Sequence, residues 1–466
     1  SAISISASLS LLAMMQPRGR SHALRTALVL AASISVSQAS ANEYGSWLSG
    51  HVRSVLSALQ GDGEDRSGVV APVLNHPALG SQAWEPLRQL LSSWKFTDNF
   101  AVAVGDASGP LFVYEHGNFS MHTPVQTAST SKWPSAMMIA GLVHDSTIAS
   151  LDDPVHKYLS WWTKKPKDLR SQVTLRHLLS FTSGFGDGHP GAEGAGSSVS
   201  AQHRARLALG EEAQVLRELA DQPEACDATG DVTACAKAIY KDVELIGKPG
   251  TVYSYNSNHL QLAGAVAVAA SGLSLQEVID KYLFKAFGFS ESTYPGSNPS
   301  LAGGLVTTGH DYEQFLSGIL RYSPLPKDLV DESEKDATPF MSDEYTLYGN
   351  YGFGHFLLCF DSTAGFTQAC KDAHLHIDPG AFGFFPLIDR RLGYYFELVA
   401  YENGQYYPRS GIPEYLAVTV KPLIDDIMQG RDISFTGTHH TVGYNALSLT
   451  DVNYVAGCYV DPSSCA

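Results

Sequence analysis

The sequence predicts a mixed α/β fold: an antiparallel sheet flanked by helices, with a mostly helical subdomain inserted into it. Three observations carry this. Strand-like patterns occur in two separated stretches, 99–120 and 348–400. Helical patterns fill most of the chain between them. Hydrophobic residues make up 44% of the 466 positions, enough for a large core and too many for a disordered chain. One sheet built from both stretches, with the helical region between them, satisfies all three.

The elements follow in order. Residues 42–95 read as a helical lead-in with polar turns. Residues 99–120 alternate apolar and polar side chains on either side of a Gly/Pro turn, the pattern of a β-hairpin. Residues 129–145 are rich in Ala, Met, Ile and Leu and read as a helix, with Pro134 in an early turn where it is tolerated. Residues 174–181 make a short amphipathic helix that stops at Thr182-Ser183-Gly184. A Gly-rich stretch, 184–198, reads as a loop, and 200–247 as helical. Residues 257–288 give two helices broken at Gly272, and a further helix covers about 309–321. Aromatic, Gly-punctuated strands then occupy 348–400. There is no internal repeat.

Charge narrows the function. The chain has 31 basic and 47 acidic residues, a net charge of −16, which argues against nucleic acid as a partner. The first 41 residues carry Arg18, Arg20 and Arg25, no acid, an apolar run from Ala27 to Val36, and a small-x-small end at Ala39-Ser40-Ala41. That is the layout of an export signal, with Met14 or Met15 as a start. The apolar run is well short of the ~20 residues that span a bilayer, so an anchor fits less well. Its removal leaves a net charge of −19 and no membrane span in the mature chain. Six cysteines form three near-neighbour pairs: Cys226/Cys235, Cys359/Cys370 and Cys458/Cys465. Three local disulfides in a secreted protein are the simplest of the 15 connectivities. No Cys/His grouping has zinc spacing, and no metal or cofactor is expected. Asn118-Phe119-Ser120 is a glycosylation sequon.

The search for a nucleophile excludes several chemistries. There is no G-x-S-x-G elbow, which weighs against an α/β-hydrolase, no H-E-x-x-H and no phosphate loop. Ser129-Thr-Ser-Lys132 remains. On a helix, positions three apart share a face, so the Lys amine can take the Ser proton. A second S-x-x-K, Ser92 to Lys95, lies upstream of the hairpin and reads as coincidence.

Thr127-Ala-Ser-Thr-Ser-Lys132 resembles the nucleophile motif of the serine β-lactamase and penicillin-binding-protein-like hydrolases. The resemblance is greatest to the branch with class C β-lactamases, D-alanyl-D-alanine carboxypeptidases and related esterases. Further segments resemble that branch in register: Leu151-Asp-Asp-Pro-Val155 with Lys157-Tyr-Leu159, Val173 to Gly184, Pro249-Gly-Thr251 with Tyr253 to Ser257, Ala302-Gly-Gly-Leu-Val306, and Gly380-Ala-Phe-Gly383. The resemblance spans about 95–405 and implies a β-lactamase/transpeptidase-like fold. Residues 42–466 then form one catalytic domain: a sheet subdomain (about 95–165 and 300–405), a helical insertion (about 166–299) and a C-terminal extension (about 406–466).

The resemblance implies a mechanism. Ser129 becomes acylated, Lys132 takes or tunes its proton, and Tyr255 shuttles protons to the leaving group and from water. The backbone amides of Ser129 and Ala381 form the oxyanion hole, and Gly380 lets substrate approach. Two departures stand out. The family has Asn two residues after the Tyr, whereas this chain has Ser257 between Asn256 and Asn258. The basic third motif is replaced by Asp378-Pro379-Gly380. His376 shares a strand face with Asp378 and is either the replacement donor or an ordinary strand histidine. Phe435-Thr436-Gly437 and His440-Thr441 are weaker rivals for that motif. Asn256, Ser257, His376, Asp378 and Gly380 are therefore the expected substrate-binding residues. Arg176 and His177 are assigned to a structural helix, and Asp152-Asp153 to a turn.

The expected function is a secreted serine hydrolase of this family, acting on small-molecule esters or amides and nearer to an esterase or peptidase than to an antibiotic-degrading enzyme. The alternative is a catalytically degenerate binding or scaffold protein.

Overall fold

The hairpin expected at 99–120 becomes β1 (Phe100–Asp106) and β2 (Gly109–His116) in the computed structural model. The structure describes residues 80–186, 226, 228–341, 349–358, 368–402, 411–431, 435–436 and 439–440. All of them lie in one compact unit, Val52–Ala466.

Strands β5 (Gly349–Tyr351), β6 (Phe356–Leu358), β7 (Leu375–Ile377), β8 (Phe385–Asp389) and β9 (Tyr394–Ala400) complete a seven-stranded antiparallel sheet. The order β2-β1-β9-β8-β7-β6-β5 places the early hairpin beside the last strand of the late stretch. Phe100–Val104 and all of β9 are buried, which is why both read as nearly continuous apolar runs. Each large apolar side chain buried there contributes roughly 1.5–3 kcal/mol. A separate two-residue pair, β3 (Val125–Gln126) with β4 (Val306–Thr307), ties the approach to Ser129 to the Ala302–Val306 segment.

Helices cover the sheet and fill the insertion. In chain order they are α1 (Glu85–Ser93), α2 (Lys132–His144), α3 (Leu175–Leu179), α4 (Val232–Asp242), α5 (Asn258–Ser271), and α6 from Leu275 through Phe287. Then come α7 (Gly309–Leu320), α8 (Lys327–Ser333), α9 (Gln368–Ala373) and α10 (Gly411–Met428). Helix α2 is buried on every side from Lys132 to Leu142 and packs on α5, which is buried from Asn258 to Ala267. Such all-round burial marks a central helix, which polar periodicity cannot reveal. Pro134 sits in the first turn of α2, where no intrahelical N–H bond is lost. Gly272 ends α5 with a left-handed φ of 71°. No single helix among the described residues is long and apolar enough to cross a membrane.

One expected disulfide is formed, Cys226–Cys235, at the start of α4. The export segment 1–41, Cys359, Cys458, Cys465 and the side chain of Cys370 lie outside the described residues, as does all of 187–225. The side chains of the rival motifs near Phe435 and His440 lie outside them too. Asn118 is exposed just after β2.

Candidate active site

Ser129 sits in a single 3-10 turn, Ala128–Ser131, that leads into α2. The residue before it, Ala128, has φ of 47°, a left-handed conformation that costs an alanine roughly 1–2 kcal/mol. The surroundings enforce it. Ser131 Oγ donates to the Ala128 carbonyl at 2.6 Å, and the Leu305 amide donates to Ser131 Oγ at 3.0 Å. The amide and hydroxyl of Thr127 both donate to the Leu305 carbonyl, at 3.1 and 3.0 Å. Two phenols hold the following carbonyls: Tyr312 donates to Thr130 O at 3.1 Å and Tyr294 to Ser131 O at 3.2 Å.

Lys132 is one helical turn on and wholly buried. Its Nζ lies 3.1 Å from Ser129 Oγ and donates to the Ala302 carbonyl at 2.9 Å. The same Nζ sits 4.5 Å from the centroid of the Tyr255 ring. Ser129 keeps 8% of its surface open. The three residues expected to carry the chemistry are thus adjacent.

The Tyr255 loop has its own scaffold. The Tyr255 ring packs against Phe181, Tyr351 and Phe356. The Ser254 amide donates to Phe181 O at 3.1 Å, and His259 Nε2 donates to Ser254 O at 2.8 Å. His259 Nδ1 then accepts from Ser183 Oγ at 2.9 Å. Burial drives the His259 imidazole down to about 4, so it is neutral at physiological pH. Gly250 has φ of 80°, and a Cβ there would lie 3.0 Å from His177 Nε2, so Pro249-Gly-Thr251 needs its glycine. His177 itself forms a capping box with Thr174. Arg176 bridges Asp152 and Glu332, and Asp153 accepts from Lys157, Tyr158 and Ser150. These are structural placements.

Asn256 and Asn258 are committed to the backbone. Asn256 Nδ2 donates to the carbonyls of Phe185 and Ser254, its Oδ1 accepts from the Asn258 amide, and Asn258 Nδ2 donates to Gly186 O. Ser257, between them, opens α5 and is 6% exposed.

The third-motif region differs from expectation. Asp378 is fully buried, and its Oδ2 accepts the Trp133 amide at 2.9 Å. That amide is one of the orphan donors at the start of α2, so the carboxylate caps the nucleophile helix rather than meeting a ligand. Asp378's charge, after burial itself, helps push the phenols of Tyr294 and Tyr312 upward. His376 is also in the core, 1% exposed. Its Nδ1 lies 3.1 Å from His355 Nε2, and His355 Nδ1 lies 3.0 Å from Phe353 O. A carbonyl must receive an N–H, so His355 carries its proton on Nδ1 and accepts at Nε2. His376 then donates from Nδ1 and turns a bare Nε2 toward Glu334, 3.6 Å away, which is why that pair makes no hydrogen bond. Burial holds both rings neutral, His355 down at about 3. Of the two readings of His376, the structure supports the ordinary strand histidine.

Gly380 lies against the nucleophile turn. A Cβ there would be 2.1 Å from Thr127 O and 2.6 Å from Thr130 Oγ1. This contact brings the next residue, Ala381, up to the turn that holds Ser129. The Ala302 carbonyl is a partner of Lys132 that side-chain patterning does not reveal, because the Ala302–Val306 motif shows only its residue types. Among the described residues no group of His, Cys, Asp or Glu is arranged to hold a metal.

A β-lactamase family model matches residues 99–383, more than half of the chain. No curated protein matches it. Among solved structures, a candidate β-lactamase from Bacteroides dorei is 24% identical, with TM-score 0.53, covering 74% of this chain and 99% of that one. The unliganded simvastatin synthase of Aspergillus terreus is 15% identical, with TM-score 0.51, covering 73% and 98%. EstCE1, a hydrolase with promiscuous acyltransferase activity, is 14% identical, with TM-score 0.52, covering 72% and 97%. These likenesses establish the fold.

Proposed function

This chain belongs to the β-lactamase family of serine hydrolases and acyltransferases, and from that premise we propose that it hydrolyses uncharged ester or amide substrates through a Ser129 acyl-enzyme. The observation that carries this is the contact of Lys132 Nζ with Ser129 Oγ at 3.1 Å, in a buried setting faced by the Tyr255 ring. Ser129 Oγ attacks the carbonyl carbon while its proton passes to the lysine amine. The N–H groups of Ser129 and Ala381 receive the oxyanion. As the carbonyl re-forms, the bond to the alcohol or amine breaks, and Tyr255 delivers a proton to that leaving group. Water then repeats the attack in the second half, losing its proton to the same pair, and releases the acid and free Ser129. Uncharged substrates are favoured because Asp378 and His376, which replace the family's basic third motif, are both turned into the core. We include export to the extracellular space by the segment 1–41 in this reading.

The test is labelling of the mature protein with a fluorophosphonate and with a fluorescent penicillin, followed by mass spectrometry. Fluorophosphonate on Ser129 without penicillin is the expected result. Penicillin labelling with turnover would move the assignment to an antibiotic-degrading enzyme. No label from either would leave a scaffold protein that keeps the fold. Product analysis with added alcohol separates hydrolysis from acyl transfer, the activity named for EstCE1.

A further inference from the structure

We infer that Gln261 is a positioning residue for Lys132, acting through the turn 298–302; this rests on the Ser129/Lys132 chemistry proposed above. Gln261 lies on α5 with no exposed surface. Its Nε2 donates to Asn298 Oδ1 at 3.0 Å, and its Oε1 accepts the Leu301 amide at 2.8 Å. The next residue, Ala302, presents the carbonyl that receives Lys132 Nζ at 2.9 Å. One amide side chain therefore fixes both ends of the segment whose last carbonyl orients the catalytic amine.

The rest of the turn is held to the same end. The Asn298 amide donates to Ala228 O at 2.8 Å, beside the Cys226–Cys235 disulfide. The amides of Gly303 and Gly304 donate to Ser300 O, at 3.3 and 2.7 Å. Leu301 is buried against α5 at Gly264, where a Cβ would lie 2.8 Å from Leu301 Cδ1. A lysine Nζ on its flexible stem takes its place from the groups it hydrogen-bonds. Ser129 Oγ and Ala302 O both lie within hydrogen-bond reach of Lys132 Nζ, so a shift of the second redirects the proton path from the first. Displacements of about 1 Å in such a pair cost up to ~100-fold in rate.

Gln261→Leu removes both hydrogen bonds while keeping bulk. The expected result is a kcat lowered about tenfold or more, a KM changed by less than about threefold, and fluorophosphonate labelling of Ser129 slowed in step with kcat. Gln261→Glu is the informative second variant. As a neutral acid it is an isostere: its C=O accepts from Leu301 and its O–H donates to Asn298. On ionisation the donor is lost. Its kcat should stand near the wild-type value on the acidic side of a new ionisation and fall above it, a limb absent from wild type. Val266→Ala, a buried change on the same helix away from this turn, controls for loss of packing. The inference is overturned if folded Gln261→Leu keeps kcat and labelling rate within twofold of wild type. It is overturned equally if Val266→Ala, matched in thermal stability, loses as much kcat, or if Gln261→Glu with its side chain neutral at acidic pH loses as much kcat as Gln261→Leu. A wild-type protein that is not labelled at Ser129 would instead remove the underlying chemistry and this role with it.

Discussion

Two regions meet at the nucleophile turn, and they treat charge in opposite ways. On one side, the Ser129–Lys132 turn and the Tyr255 loop bring a buried lysine Nζ to a hydroxyl and the face of an aromatic ring, the arrangement the proposed chemistry uses. On the other, the end of β7 carries Asp378 where the family has a basic group, and the carboxylate faces the protein. There it caps α2 through the Trp133 amide, so its charge stabilises the helix that bears the nucleophile. The difference teaches that a motif position can keep its place in the fold while changing what it serves. At this strand end the side chain supports the helix that follows Ser129.

The strongest break of this comparison is on the nucleophile side. Ser129→Ala and Lys132→Met should each lower turnover by about a thousandfold or more, with the double variant little worse than either single one, because the two act as a unit. Steady-state kinetics against a neutral ester checks this. Additive losses would mean that the 3.1 Å contact is not catalytic.

Asp378 tests the other side. Asp378→Leu leaves the Trp133 amide buried without its acceptor, and should cost roughly 2–4 kcal/mol in chemical denaturation. Asp378→Asn keeps an acceptor oxygen and should cost about 1 kcal/mol. Its discriminating readout is KM. If the side chain faces inward, Asp378→Asn changes the ratio of KM for a carboxylate-bearing ester to that for a neutral one by less than about twofold. A tenfold improvement for the anionic ester would put Asp378 in the substrate site.

Much of this was legible. The hairpin, α2, the break at Gly272 and the late strands follow from patterning that local chemistry enforces. The nearness of Lys132 to Ser129 was legible in their spacing of three, and Tyr255 was singled out by the family resemblance around Pro249-Gly-Thr251. What escaped notice depends on contacts between distant segments. Asp378 and Trp133 are 245 positions apart, and the Ala302 carbonyl is 170 from Lys132. Backbone carbonyls leave no trace in side-chain identity at all. Glu397 is a third case: a charged residue in the middle of β9, fully buried. Burial first, and the neighbouring Glu313 second, push its carboxyl well above the ordinary range, so it is buried as a neutral acid. Sequence counts it as a charge, and the fold does not.

Acid should separate the two regions in time. His259, which holds the Tyr255 loop, is neutral in the fold down to about 4, against 6.5 when unfolded. The unfolded chain therefore binds the proton more tightly. Stability from this group is complete above the unfolded value and is lost as pH falls from 6.5 toward 4, by about 3 kcal/mol. His355, beside the strand end, holds out to about 3. The Tyr255 loop should therefore give way first. Reversible loss of activity near pH 4 should precede loss of near-ultraviolet dichroism, and His259→Asn should flatten the pH dependence of unfolding free energy. Simultaneous loss of both signals would show that the regions do not open separately.

The finest distinction lies in the two phenols that hold the nucleophile turn from outside it. Tyr312 grips Thr130 O and Tyr294 grips Ser131 O, two successive carbonyls of one short turn. Burial, with Asp378's charge as a further cause, keeps both hydroxyls protonated, so both remain donors well into the alkaline range. Tyr312→Phe removes one neutral hydrogen bond and should cost about 1 kcal/mol, whereas Tyr294→Phe removes two, because Ser135 Oγ also bonds the Tyr294 hydroxyl at 2.6 Å, and should cost about 2 kcal/mol, with kcat in both within about threefold of wild type. If the turn behaves as one rigid body, losing the first grip lets the backbone shift and weakens the second. The double variant Tyr294→Phe/Tyr312→Phe would then cost less than the sum by about 0.5 kcal/mol. Strict additivity would mean that the turn is held independently at each carbonyl. In that case the strained Ala128 conformation is maintained mainly by Ser131 and Leu305, and the strand side contributes to the nucleophile only through Asp378.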